Sequence, residues 1–217
     1  MSEDFTPGAL RDILDAAARG EFPPADGGVS VVPQHGRRDA GVIAFTAHSV
    51  VFTDEDPEWV RAQLQSLDCD ALAAAMNPRF LAAFMDRTGR TTDTIDLLAV
   101  ATPVPGPPSL ALSELRDPDH PRVARARKRR DEVRVWAVDG GVLVLGRGVA
   151  GRLEAAVEVE ESVRHRGLGR ALASAARHLG AGEPVWAQLA AGNARSVRAF
   201  QAAGFRPVGA EALLVAH

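Results

Sequence analysis

RHRGLG, Arg164–Gly169, lies between the alternating segment Leu153–Glu160 and an amphipathic stretch, Gly167–Leu179, whose spacing predicts a helix. A strand that turns through two glycines into a helix leaves backbone N–H groups without partners at the turn. Those donors and the positive end of the helix together form an anion cradle. A second signal follows in GNARSVRAFQAAGF, Gly192–Phe205, where an Asn opens the next strand–helix connection. A phosphate-binding turn followed by such an Asn describes a nucleotide-like cofactor held along a sheet.

Working outward, the segments around this turn read as one α/β domain. Leu110–Leu115 is predicted as a strand and Pro121–Arg130 as a helix. Val133–Val138 and Val142–Val149 are predicted strands joined at Asp139-Gly140-Gly141, a hairpin signal, with Leu153–Glu160 as the third member of the meander. Val185–Leu189 is a short strand, helix Ala194–Ala203 ends at Gly204 in a left-handed cap, and Val208–Val215 is expected to close the sheet.

Toward the N-terminus, the proline-rich stretch TPVPGPPS, Thr102–Ser109, cannot hold a regular helix or central strand. It divides the chain into an N-terminal α/β subdomain of unknown role, residues 1–105, and a second domain, 106–217. In the first, Val42–Phe52 reads as one long or two short strands with Val29–Val32 alongside. Asp56-Pro57 starts a helix with a stripe of Trp59, Val60, Leu64 and Leu67. A further helical stretch, Asp70–Met85, breaks near Asn77-Pro78, and Ile95–Ala101 is a buried strand.

Composition sets outer bounds. The 217 residues suit one to two domains, and 46% hydrophobic with 24% charged residues is ordinary for a globular chain. A net charge of −3 gives no general attraction to nucleic acid or anionic membrane. No apolar run reaches membrane-spanning length, and MSEDFTPGAL lacks the layout of a secretion signal. Cys69 is the single cysteine, which excludes an internal disulfide and fits the cytoplasm; its Ala/Leu-rich surroundings predict buried packing. The chain contains no tyrosine.

From about Leu110 onward, this order resembles the GNAT superfamily of acyl-CoA-dependent N-acetyltransferases. The residues that carry the likeness are Arg164, Gly167 and Gly169 between strand and helix, with Asn193 and Gly204-Phe205 downstream. The resemblance implies a GNAT fold: a central, mostly antiparallel mixed sheet flanked by helices. It implies acetyl-CoA as cosubstrate, without a metal, and direct transfer of the acetyl group to an amine, a small molecule ahead of a protein. The pyrophosphate would be bound by backbone N–H groups of His165, Arg166, Gly167, Leu168, Gly169 and Arg170, with Arg164, Arg166 and Arg170 adding charge. The pantetheine arm would pair with Val157 and Val159, an N–H near Val159 would stabilise the oxyanion, and Asn193 and Ser196 would contact the arm. Relatives often pair, so a homodimer is an expectation too.

The sequence departs from the family where the chemistry is concentrated. The usual tyrosine acid, seven residues after the Asn, is Phe200, and a strand Glu used by some relatives as base corresponds to Gln188. These replacements keep open a second reading, an acetyl-CoA-binding module that senses or regulates without turnover. Glu154, Glu158 and Glu160 share one strand face, and Glu158 is the candidate base; the alternative is a solvated face. His35, His48, His120, His178 and His217 show no ligand spacing. The run Arg122–Arg130, with six cationic side chains, reads as a solvated helix with local ion pairs, with a nucleic-acid or anionic-acceptor patch as the alternative.

Overall fold

The structure, a computed structural model, describes residues 9–117 and 121–216. Its elements in chain order are α1 (Leu10–Arg19), β1 (Val29–Val32), β2 (Asp39–Phe45), β3 (His48–Phe52), α2 (Pro57–Gln65), α3 (Ala71–Ala74), α4 (Pro78–Thr88), β4 (Ile95–Ala101), β5 (Ser113–Leu115), α5 (Pro121–Arg127), β6 (Asp131–Val138), β7 (Gly141–Arg147), β8 (Leu153–Val159), α6 (Leu168–Leu179), β9 (Val185–Ala190), α7 (Ala194–Ala202) and β10 (Arg206–Val215). The chain falls into two compact units, residues 1–96 with 208–217 and residues 97–207.

This division cuts β4 rather than the proline-rich stretch, for a local reason. Val104 N–H donates to Arg177 O at 3.0 Å, Arg177 Nε to Thr102 O at 2.9 Å, and the His178 ring to Gly106 O at 3.0 Å. Those bonds fasten the prolines to the end of α6, inside the second unit. The last strand, β10, is an interior strand rather than a closing one. It runs antiparallel to β2 from Ala210↔Ala44 to Val215↔Asp39, and from Val208 on it belongs to the first unit.

The first unit orders its strands β1-β3-β2-β10, with β1 parallel to β3 and the others antiparallel. One sheet face buries Ala40, Val42, Val51, Ala212 and Leu214 against Val60 of α2 and Phe80 and Phe84 of α4. Each of those helices starts where a short polar side chain takes up an orphan donor. Asp56 accepts from Glu58 N–H, and Asn77 accepts from Arg79 N–H, both at 2.9 Å. Helix α1 was not anticipated: Leu10, Ile13, Leu14, Ala17 and Ala18 form its buried stripe, and Gly20 closes it at φ +93°. Cys69 lies just before α3 and is exposed, because Asp70 caps that helix at the surface.

The second unit orders its strands β4-β9-β8-β7-β6-β5. All neighbouring pairs from β5 to β8 are antiparallel, and β8 is parallel to β9. Together the two units have the expected class, mixed α/β built on mostly antiparallel strands. Leu143, Leu145 and Ala155 pack against Leu172, Ala173 and Ala176 of α6 and Phe200 of α7. On the opposite face Val135, Val142 and Val144 pack against Val123 and Ala126 of α5. Two glycines seat α6. A methyl group on Gly141 would meet Leu172 at 2.8 Å and Leu168 at 3.0 Å, and one on Gly140 would overlap Val163. The hairpin turn and the close approach of α6 therefore depend on the same dipeptide.

Candidate functional site

The backbone of β8 divides its hydrogen bonds between two neighbours. Glu160 N–H donates to Gly140 O at 2.9 Å, one step beyond the pair Gly141↔Val159. Bonded and non-bonded pairs alternate along an antiparallel ladder. Residues 154, 156 and 158 thus commit their backbone groups to β7, while Ala155, Val157 and Val159 direct theirs toward β9. The parallel register with β9 runs only from Leu153↔Val185 to Glu154↔Trp186. Both strands continue past it, β8 to Val159 and β9 to Ala190. The Val157–Val159 segment therefore lies beyond the register with β9. Val159 O accepts from Arg164 Nε at 3.3 Å, and its N–H carries no such bond among the described residues.

The turn after β8 directs a helix end toward this edge. His165 takes φ +66°, a left-handed conformation uncommon outside glycine, and Gly167 takes φ +84° as N-cap of α6 without a side-chain cap. Ala171 N–H closes the first turn on Gly167 O at 3.0 Å. The N–H groups of Leu168, Gly169 and Arg170 precede that bond and have no acceptor within the helix. A methyl group at Gly169 would lie 3.7 Å from Val159 and 3.8 Å from Ala199, ordinary contact distances. Packing alone does not require glycine here, whereas a ligand approaching the backbone between β8 and α7 would. Arg164, His165, Arg166 and Arg170 are exposed around the turn.

Asn193 caps α7, its Oδ1 accepting from Ser196 N–H at 3.1 Å. That geometry occupies the oxygen and leaves the side-chain amide N–H groups outside the cap. Phe200 is only 3% exposed and meets Phe205 edge-on with ring centroids 4.9 Å apart. It is a core residue, and Gln188 is half-buried on β9.

The three glutamates on one strand face have separate fates. Glu154 is 3% exposed, and its carboxylate accepts from Arg152 Nε at 2.9 Å, Arg130 Nε at 3.0 Å and Val149 N–H at 3.3 Å. Burial alone would raise its pKa, but the Arg152 and Arg130 guanidiniums outweigh that and hold it below the usual glutamate range. Glu154 is thus a structural anion. A methyl group on Gly148 would overlap that carboxylate, so glycine leaves room for it. Glu158 is exposed on the α5 face, its carboxylate 3.7 Å from Arg125 Nη1, and Glu160 lies exposed just past the strand. Arg130, at the end of the basic run, is therefore consumed by an internal ion pair, and Arg125 borders Glu158.

His120 and His217 lie outside the described residues. Among the described residues no cluster of His, Cys, Asp and Glu is placed to hold a metal ion, and no helix is long and apolar enough to cross a membrane.

No family model and no curated protein matches this chain. Among solved structures, it is similar to a GCN5-related N-acetyltransferase from Kribbella flavida, with TM-score 0.41 and 21% identity over 66% of this chain and 65% of that one. A GNAT-family protein from Novosphingobium aromaticivorans gives TM-score 0.41 and 20% identity over 59% of this chain and 68% of that one. A GCN5-related N-acetyltransferase from Sphaerobacter thermophilus gives 0.38 and 14%, over 62% and 55%. The chain thus spans 65%, 68% and 55% of these proteins.

Proposed function

We propose that residues 97–207 bind acetyl-CoA and transfer its acetyl group to an amine, with a small-molecule acceptor ahead of a protein one. The observation that supports this reading most is the junction at Gly169, where the uncapped start of α6 comes beside Val159 on the free edge of β8. A diphosphate at the N–H groups of residues 167–170 leaves an extended, amide-bearing arm free to pair with Val157 like an added strand. Val159 N–H then donates to the carbonyl oxygen as negative charge develops there. Bound acetyl-CoA supplies the activated acyl carbon.

At neutral pH only on the order of one alkylamine in a thousand is uncharged. In this reading Glu158, directly or through water, takes the proton from the attacking nitrogen. Arg125 Nη1 lies 3.7 Å from that carboxylate. Without a tyrosine, the sulfur departs as thiolate. A thiol pKa of about 8.5 makes that departure only mildly uphill at pH 7.

The second reading, a binding module without turnover, draws on Phe200, which is buried where the acid would be. A screen of amines that follows CoA release, paired with calorimetry of acetyl-CoA, separates the two. Turnover with an amine, lost in Glu158→Gln, supports the enzyme. Tight binding with no acceptor found supports the module, and no heat with CoA or acetyl-CoA refutes both.

A further inference from the structure

The first unit contains a hydrogen-bonded relay. His48, the first residue of β3, has a side chain only 4% exposed, and both ring nitrogens are engaged. Nδ1 lies 2.8 Å from Asp26 Oδ1, and Nε2 lies 2.9 Å from Ser30 Oγ. The proton positions follow from chemistry. Asp26 is held below the usual carboxylate range, first by the bond from the His48 ring and then by the bond from Gly28 N–H, so it is ionised and can only accept. Nδ1 therefore donates to it, and in the neutral ring the Nε2 lone pair accepts the Ser30 hydroxyl proton. Orienting carboxylate, imidazole base and hydroxyl nucleophile stand in the order that activates a serine.

The surrounding backbone fixes this order. Gly27 N–H donates to Ala47 O at 2.8 Å and Ser49 N–H to Gly28 O at 3.0 Å, which clamps the Asp26 turn to the β2–β3 hairpin. Asp26 Oδ1 also accepts from Gly28 N–H at 2.7 Å. A methyl group on Gly28 would come within 2.7 Å of that oxygen. Ala47, immediately before His48, is itself left-handed at φ +59°. Ser30 is half-buried on β1, the edge strand of its sheet. Because Ser49 and Thr53 donate to Gly28 and Val32, residues 28, 30 and 32 bond to β3. Val31 N–H, on the residue after the serine, thus points to the open edge.

We propose that Ser30, His48 and Asp26 form a second catalytic centre, which hydrolyses small activated carboxylic esters or thioesters. Ser30 Oγ bonds to the acyl carbon as its proton passes to His48 Nε2. The bond to the leaving oxygen or sulfur breaks, and Nε2 returns the proton to it. Water, losing a proton to the same nitrogen, then attacks the acyl-serine, releases the carboxylic acid and restores the hydroxyl. Val31 N–H is the available donor to the developing oxyanion. Ser30 and His48 are catalytic residues, and Asp26 is a positioning residue that fixes the tautomer.

The test uses the full chain with p-nitrophenyl acetate and, separately, a fluorophosphonate probe. The expected results are a burst of about one p-nitrophenolate per chain and phosphonylation of the peptide containing Ser30. Ser30→Ala, with an unchanged circular dichroism spectrum, should lose the label and lower turnover at least about 100-fold. Asp26→Asn should lower kcat with little change in KM, and Asp26→Glu should restore part of it, a pattern that a purely structural bond would not produce. The proposal is overturned if the probe leaves Ser30 unlabelled, or if Ser30→Ala hydrolyses the ester as fast as the native chain.

Discussion

Replacing Glu154 by glutamine keeps the side chain's volume and removes its charge, which isolates one term in the stability of the second unit. The carboxylate sits between two guanidiniums, Arg152 with 1% and Arg130 with 15% of the side chain exposed. Without it both guanidiniums lose this carboxylate in a largely buried setting, and breaking a buried pair in this way costs about 3–5 kcal/mol. Each kcal/mol shifts the midpoint of a chain this size by about 2–4 °C, so Tm should fall by roughly 6–20 °C. Urea unfolding followed by circular dichroism measures the loss directly. Replacing all three residues by methionine should cost far less than the single change, because it removes the cations as well as the anion. The pH dependence follows from the direction of the shift. The folded pKa of Glu154 lies below the unfolded one, so its contribution is complete above about pH 4.3 and is lost as pH falls through the folded pKa. The native chain should therefore destabilise on acidification more steeply than Glu154→Gln. A loss below about 1 kcal/mol at pH 7 for Glu154→Gln would refute the reasoning.

Three further outcomes are expected. Gly169→Ala should leave Tm unchanged, since its methyl group meets only ordinary contacts, whereas Gly169→Glu should abolish the calorimetric signal with CoA while also folding normally. Gly148→Ala should destabilise by about 1–3 kcal/mol, because the added carbon overlaps the Glu154 carboxylate; native-like urea unfolding would count against the packing described. Asp96 is pushed up to about 6 by burial, with Glu211 and Asp93 adding to the effect. Its raised folded pKa gives a contribution that is full below about pH 3.9 and lost as pH climbs through about 6. Asp96→Asn should thus gain stability over the native chain between those values and keep the gain at pH 7, read as the difference in Tm across a pH series; a constant difference would be inconsistent with this.

Local chemistry was enough to locate the elements whose signals are written within a few residues. Asp56-Pro57 and Asn77-Pro78 start α2 and α4 because capping and a proline's fixed φ act over a single turn. Gly140-Gly141 and the alternation of Leu153–Glu160 marked the hairpin and β8 for the same reason, and Gly167 marked the start of α6. Helix α1 has no such local mark: its stripe is short and alanine-rich, and no side chain caps its N-terminus, so it is stabilised by what it packs against. Long-range pairing is another matter. Nothing within Arg206–Val215 says that β10 runs beside β2, since any half-buried strand offers the same edge to several partners. Side-chain roles divided in the same way. Glu154 and Glu158 are equivalent in the alternation, yet one is sealed between Arg130 and Arg152 and the other stands exposed near Arg125. Asp26, Ser30 and His48 carry no motif at all. Only the parallel register of β1 on β3, which sets Ser30 beside Val50, brings the hydroxyl to the imidazole.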